Sequence, residues 1–299
     1  MMRILLLGAN GQVGRALHRS LIGLGEIIAT TRSGRLPGSN GPCEIADLDH
    51  PGHLSELIAR VAPDVVVNAA AYTAVDKAEN DREAAYRANA ESVGVLAEAC
   101  KARGALLVHY STDYVFPGDA KRPWREDDAP APLGVYGASK LAGEEAIRAS
   151  HCRHLIFRTA WVHGPHGHNF LRTMLRLGSE RDELRVVDDQ VGSPTPAPWI
   201  AQATALAIAK SKEHCGTWNL VAEGETSWHG FAEAIFVDAV RAGLIDKAPN
   251  LIAVGSSEYP AAARRPAYSR LDTGKLARDF GIRLPDWRRG VTQVIADLA

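Results

Sequence analysis

The sequence predicts an α/β fold, with a parallel sheet covered by helices on both faces and a smaller, less regular lobe behind it. Three observations carry that expectation. Short apolar runs alternate with helical patterns through the first half of the chain, the runs are continuously apolar, and a glycine-rich turn stands between the first run and the first helix. A strand buried on both faces has no solvent side, so it reads as unbroken Val, Ile and Leu. Parallel neighbours, in turn, need helical crossovers.

The apolar runs fall at 4–7, 27–29, 65–67, 106–109 and 155–157. Between them, apolar residues at helical spacing predict helices over 13–21, 54–61, 83–103 and 136–149. After about residue 159 the pattern loosens into Gly- and Pro-rich loops at 164–167 and 192–198, set among helices near 170–177, 199–209 and 228–241. Thr226 and Ser227 precede Trp228 as an N-cap, and Asp286 opens a last amphipathic helix at Trp287. The expected division is a sheet domain over 1–160, to which parts of 180–225 return, and a substrate lobe formed mainly by 161–299.

Composition narrows the function classes. With 34 Lys and Arg against 35 Asp and Glu, the 299-residue chain has a formal net charge of −1, so no global field favours nucleic acid or an anionic membrane. A small-molecule partner fits better. The cysteines at 43, 100, 152 and 215 show no CxxC spacing, which predicts reduced thiols without a zinc site. No stretch approaches the roughly 20 apolar residues that span a bilayer. The expectation is a cytoplasmic protein with no membrane partner.

The turn Gly8-Ala9-Asn10-Gly11-Gln12-Val13-Gly14 follows the first strand and opens the first helix. Gly lacks the side chain that would keep a pyrophosphate away, and the free amides of a helix N-terminus then donate to it. In this context the sheet reads as a Rossmann-type doubly wound one, with Gly8, Gly11, Gln12, Val13 and Gly14 at the cofactor. A glycine turn that merely packs a helix closely is the plainer alternative. The second strand ends Thr30-Thr31-Arg32-Ser33, with no carboxylate for a ribose 2′-hydroxyl. Arg32 can pair with a 2′-phosphate instead, which favours NADPH while leaving NADH possible. Asp47 and Leu48, after the third strand, are placed for the adenine. Ala69, Ala70 and Ala71, after the fourth, are small where the cofactor must pass closely.

Tyr136 and Lys140 stand four residues apart at the start of a helix and so share one face. An ammonium beside a phenol in a dry site lowers the phenol's pKa toward a value useful for proton transfer, and Lys140 can also hold a ribose. A surface pair one turn apart would look the same in isolation. Thr112, at the end of the fifth strand, lies at the carboxyl edge of the sheet and can hydrogen-bond a keto oxygen. Asp113 beside it would orient a sugar hydroxyl.

These blocks, together with the segment from Asn68 to Glu79, Ser111–Phe116, Arg158-Thr159-x-Trp161-Val162 and Arg265-Pro266-x-x-Ser269-x-Leu271-Asp272, resemble the dTDP-4-dehydrorhamnose reductases of the extended short-chain dehydrogenase/reductase superfamily. The likeness runs through nearly the whole chain. It implies that Tyr136 is the proton donor and Lys140 its partner, that Thr112 and Asp113 contact a dTDP-linked keto-sugar, and that Trp161 belongs to the sugar pocket. It also places Gly11, Gln12, Val13, Ala71 and Tyr72 at the cofactor. Two rivals share the superfamily: a non-catalytic regulatory subunit of a methionine adenosyltransferase, and a nucleotide-sugar epimerase or dehydratase. Thr112, Tyr136 and Lys140 together argue against the first; a single Asp113 after Thr112 argues for simple reduction over dehydration.

His163, His166 and His168 lie in a Gly/Pro loop without the spacing that converges metal ligands, so the expectation is a solvent-facing loop and no metal. Some family members form a metal-bridged dimer through acidic residues. Here Arg15-Ala16 and Pro196-Ala197-Pro198 occupy those places, and no such dimer is expected.

Overall fold

β1 (Met2–Leu7) is an interior strand of the sheet in the computed structural model, which describes residues 1–36 and 43–299. It is followed by β2 (Gly25–Thr31), β3 (Glu44–Ile45), β4 (Val65–Asn68), β5 (Leu106–Thr112) and β6 (His154–Thr159). The short strands β7 (Val162–His163), β8 (Glu183–Val187), β9 (Val191–Gly192) and β10 (Thr195–Pro196) precede β11 (Gly216–Asn219), with β12 (Thr226–Ser227) and β13 (Asn250–Val254) after it. The main sheet has seven strands in the order β11-β6-β5-β4-β1-β2-β3. Every neighbouring pair in it is parallel. From β1 the chain runs outward through β2 and β3; from β4 it runs the other way. That reversal opens a crevice outside the carboxyl ends of β1 and β4.

The helices of the first half are α1 (Gln12–Ser20), α2 (Gly52–Val61), α3 (Val75–Ala78), α4 (Arg82–Tyr86), α5 (Ser92–Arg103) and α6 (Val135–Ser150). Those of the second are α7 (Phe170–Glu180), α8 (Ala197–Ala209), α9 (Trp228–Arg241), α10 (Gly274–Phe280) and α11 (Trp287–Ala296). Alternation along β1 sorts the core into two layers. Ile4 and Leu6 pack with Leu17 of α1 and Ile200 of α8, whereas Leu5 and Leu7 pack with Leu54 and Leu57 of α2 and Leu96 of α5. Both faces are thus covered, as a parallel sheet requires. β11, from the second half of the chain, adds to β6 in the register Trp218↔Phe157. Ser227 and Asp286 cap α9 and α11 by accepting from the amides of Gly230 and Arg288.

The single helix expected over 83–103 is not what forms. A π-turn at Arg87–Glu91 separates α4 from α5. The wider turn sets the buried Asn89 side chain against the chain at Tyr72: its Oδ1 accepts from the Tyr72 amide at 2.9 Å and its Nδ2 donates to the Tyr72 carbonyl at 3.0 Å. Nδ2 also donates to Ser139 Oγ on α6 at 3.0 Å. Such bulges often mark functional regions, and this one ties the segment after β4 to the helix that carries Tyr136.

α6 is pinned to the sheet by charge. Arg158 of β6 donates from Nε to Glu144 Oε1 at 2.9 Å and from Nη2 to Glu144 Oε2 at 2.7 Å, with both side chains almost fully buried. Burial alone would raise the Glu144 carboxyl. The hydrogen bonds and charge of Arg158 outweigh it and leave the carboxyl below its ordinary value. Removing one partner of a buried pair strands the other. Arg158→Met is therefore expected to lose about 3–5 kcal/mol in urea unfolding at neutral pH. A depressed carboxyl contributes stability above its unfolded pKa and loses it as pH falls through the folded one, so the deficit should shrink in acid. A deficit under about 1 kcal/mol at neutral pH would mean that the pair does not hold the helix.

Candidate active site

A cleft of about 660 Å³ occupies the crevice at the strand reversal. Its floor begins at the glycine turn. Gly8 has φ +72°, and a Cβ there would lie 2.8 Å from the Ala70 amide nitrogen, so both the conformation and the closeness of β4 exclude a side chain. Gly11 caps α1 and donates its amide to the Gly8 carbonyl at 2.9 Å. Gly8, Gly11, Gln12 and Val13 all line the cleft. Gly14 does not, which differs from the sequence expectation. It is buried in α1, where a Cβ would collide with the Gly8 carbonyl oxygen, so it serves to seat the helix on the turn.

Beyond the turn the cleft passes Arg32, Asp47 and Leu48 on one side and Ala69, Ala70, Ala71 and Tyr72 on the other. Arg32 is exposed. Asp47 accepts from the Asp49 amide at 3.1 Å, which turns the chain at the cleft edge. Sequence reasoning missed the opposite wall. Gly167 and His168 line the cleft, Gln12 Nε2 donates to the His168 carbonyl at 3.1 Å, and Asn169 Nδ2 donates to Gln12 Oε1 at 2.9 Å. The loop expected to face solvent is thus in part a clamp on the glycine turn. His163 within it is fully buried against the Phe231 ring, and burial pushes its pKa down to about 4. Among the described residues no group of three or more His, Cys, Asp or Glu is placed to hold a metal ion.

At the other end of the cleft stand Tyr136 and Lys140, one turn apart on α6, with Ser111 and Thr159 from the ends of β5 and β6. Ser111 and Thr159 stand in blocks that carry the family resemblance but have no site role in the sequence reading, and Tyr110 is not singled out there. Thr112 pairs with Thr159 across the two strands. Its hydroxyl donates to Asp113 Oδ1 at 3.0 Å, accepts from the Tyr114 amide at 3.2 Å and reaches the Tyr136 phenol. Asp113 lies behind Thr112, only 2% exposed, and burial raises its carboxyl to about 6. Neither Thr112 nor Asp113 belongs to the cleft wall itself. Trp161 is also set back from it, at φ +46° and stacked on Trp228 with ring centroids 3.5 Å apart.

The electrostatics correct one expectation. Lys140 does not lower the phenol: its Nζ faces His109 Nε2 at 3.2 Å. Burial, followed by the charge of Asp113, pushes Tyr136 up to about 12. Burial also brings Lys140 down to about 8. A phenol so placed keeps its proton at neutral pH, which suits an acid rather than a base. The helix that carries it starts under constraint, because Glu79 Oε1 accepts from the Val135 amide at 2.8 Å.

A family model described as the RmlD substrate binding domain matches residues 2–299. The chain is 47% identical over 300 residues to a dTDP-4-dehydrorhamnose reductase of Shigella flexneri, covering 99% of this chain and 98% of that one. It is 46% identical over 306 residues to the dTDP-4-dehydrorhamnose reductase of Burkholderia thailandensis, covering 99% of each. The crystal structure of dTDP-4-dehydrorhamnose reductase from Bacillus anthracis in complex with NADP superposes with a TM-score of 0.89 at 34% identity, covering 99% of both chains.

The negative charge of Asp113 helps to push Tyr136 up, which gives a test that needs no ligand. Asp113→Asn removes that charge, so Tyr136 should ionise at lower pH than in the wild type. Ultraviolet phenolate titration isolates it as the difference between each protein and its Tyr136→Phe counterpart. An unchanged or higher midpoint would refute the coupling.

Proposed function

The chain belongs to the family of dTDP-4-dehydrorhamnose reductases, NAD(P)H-dependent oxidoreductases, and on that premise we propose that NADPH and Tyr136 together reduce C4 of dTDP-4-dehydro-L-rhamnose to give dTDP-L-rhamnose. The observation that carries this reading is the single cleft that joins a glycine turn at one end to Tyr136 and Lys140 at the other. The residues present fit a dinucleotide. The cradle at Gly8 is one that a Cβ would fill, the free amides of α1 open onto it, and Arg32 with Asp47 and Leu48 stands where the adenosine end would lie. Ala69, Ala70, Ala71 and Tyr72 would flank its path, and Lys140 would hold the nicotinamide ribose.

When bound, the dinucleotide supplies the hydride that reduces C4. The protein's part is the proton. Tyr136 donates its phenolic proton to the C4 oxygen as that oxygen gains charge, and Thr112 turns its hydroxyl proton from Asp113 to the same oxygen when the keto-sugar binds. Until then Asp113 holds that hydroxyl, through the bond at 3.0 Å. Trp161 and Trp228, stacked with ring centroids 3.5 Å apart, stand back from the cleft wall, and the family resemblance alone assigns Trp161 to the sugar pocket. We place this reaction in the cytoplasm, with no metal-bridged dimer, because Arg15, Ala16 and Pro196-Ala197-Pro198 provide no hard oxygen ligands.

Tyr136→Phe should slow single-turnover oxidation of NADPH by the keto-sugar nucleotide roughly 10²–10⁴-fold, the usual worth of a positioned acid, with NADPH affinity nearly unchanged. A variant that reacts at the wild-type rate would exclude Tyr136 as the donor, and a wild type that oxidises no NADPH would favour the regulatory-subunit reading. Arg32→Ala should narrow the preference for NADPH over NADH by up to about fivefold, the scale of one exposed charge pair worth about 1 kcal/mol. Equal affinities for the two dinucleotides in wild type and variant would show that Arg32 does not read the 2′-phosphate.

A further inference from the structure

After β13 the chain returns to the sheet domain as a strap over 263–272. Its downstream half is secured by main-chain hydrogen bonds. The Tyr268 amide donates to the Gly118 carbonyl at 3.0 Å, the Ser269 amide to the Val191 carbonyl at 2.8 Å, and the Trp124 amide to the Arg270 carbonyl at 2.9 Å. The seat is close: Gly118 has φ +79°, and a Cβ there would collide with the Pro266 ring. The upstream half is held differently, by one side chain. Asp76 of α3 accepts from the Ala263 amide at 3.1 Å and takes both arms of the Arg265 guanidinium, Nη1 donating to Oδ1 at 3.1 Å and Nη2 to Oδ2 at 2.6 Å. A fork of two bonds fixes direction as well as distance. Both side chains reach solvent, so the pair adds little to stability; what it adds is placement.

We propose that Arg265 is a positioning residue for Tyr136: latched to Asp76, it holds the upstream end of the strap against the sheet domain and sets Tyr114, against which the Tyr136 ring rests. The contacts run in sequence. The Arg265 guanidinium faces the Tyr114 side chain. The Tyr114 ring meets the Tyr136 ring edge to face, with centroids 5.9 Å apart and planes at 80°. A small cavity lies where strap and sheet domain meet, lined by Glu79, Tyr114 and Tyr136 on one side and by Ala263, Arg264 and Pro266 on the other. The anchor of Arg158 on Glu144 fixes the main chain of α6, but it lies two turns beyond Tyr136 and leaves the phenol side chain to its neighbours. Asp76 follows closely on Thr73 and Ala74 of the large cleft's wall, so the latch joins that wall, the strap and the proton donor.

The effect on turnover rests on the reaction proposed above; the placement of Tyr136 does not. Two measurements on the whole protein therefore test the latch, one with substrate and one without. Arg265→Ala should slow single-turnover oxidation of NADPH by the keto-sugar nucleotide roughly 10–100-fold, the scale of a donor displaced by about 1 Å. NADPH affinity should stay unchanged, because among the described residues the strap contributes none to the wall of the large cleft. In protein labelled with ¹³C-tyrosine, a cross-peak between the Tyr114 and Tyr136 rings, assigned by its loss in Tyr136→Phe, should be present in the wild type and weaken or vanish in Arg265→Ala. Asp76→Asn loosens the grip on the fork and should weaken the same cross-peak, which keeps the test should Arg265→Ala fail to fold. A wild-type rate in Arg265→Ala, a matching loss of NADPH affinity, or an unchanged cross-peak in the variants overturns the inference. A wild type that oxidises no NADPH overturns the proposed reaction instead, and the ring spectra then decide the latch.

Discussion

The ion pair between Arg158 and Glu144 fixes how far α6 stands from the sheet, and the chemistry at the cleft inherits that distance. Glu144 lies one turn beyond Lys140, which lies one turn beyond Tyr136, so a single anchored helix face carries all three groups. The anchor works because both of its charges are dry and mutually satisfied; one without the other would be an unpaired buried charge. At the opposite end of the helix, Glu79 takes the Val135 amide. Asn89 grips the middle at Ser139. These restraints come from β6, from the segment after β4 and from the π-turn, so the helix position reports on most of the sheet domain.

Burial then sets the proton inventory. Within one small region Asp113 is raised to about 6, Tyr136 to about 12, and Lys140 is lowered to about 8. Desolvation is the leading cause in each case, and it pushes every group toward its neutral form. The site consequently holds a protonated phenol at neutral pH, beside an ionised Asp113 and a protonated Lys140. The cost is that Asp113 sits buried where water would have solvated it, a penalty paid beside the reacting centre, as is common at functional sites.

Much of this was legible in the chain. The alternation of apolar runs with helical spacing identified five of the sheet's strands because a doubly buried strand has no polar face to confuse the pattern. The glycine turn was readable for the same reason that it works: nothing but Gly fits at Gly8, where φ is +72°. What stayed hidden depends on contacts distant in sequence. β11 joins the sheet next to β6 after a long excursion through the lobe, and nothing in Gly216–Asn219 announces its partner. Arg158 looked like part of a motif and proved to be an anchor for Glu144. His109 read as one more strand residue, and only the fold shows that its Nε2 lies 3.2 Å from Lys140 Nζ. The π-turn at Arg87–Glu91 was invisible because the apolar spacing of a helix carries straight across it.

The most direct measurement on the account follows the hydrogen atoms. The protein is supplied with NADPH carrying deuterium at the transferable position and with dTDP-4-dehydro-L-rhamnose in ordinary water, and the sugar product is read by NMR and mass spectrometry. One deuterium bound to C4 of dTDP-L-rhamnose, with an exchangeable solvent-derived proton on its oxygen, is the result expected of hydride delivery to C4 and proton donation to the oxygen. A reduced sugar without deuterium at C4, or a label at any other carbon, would contradict it.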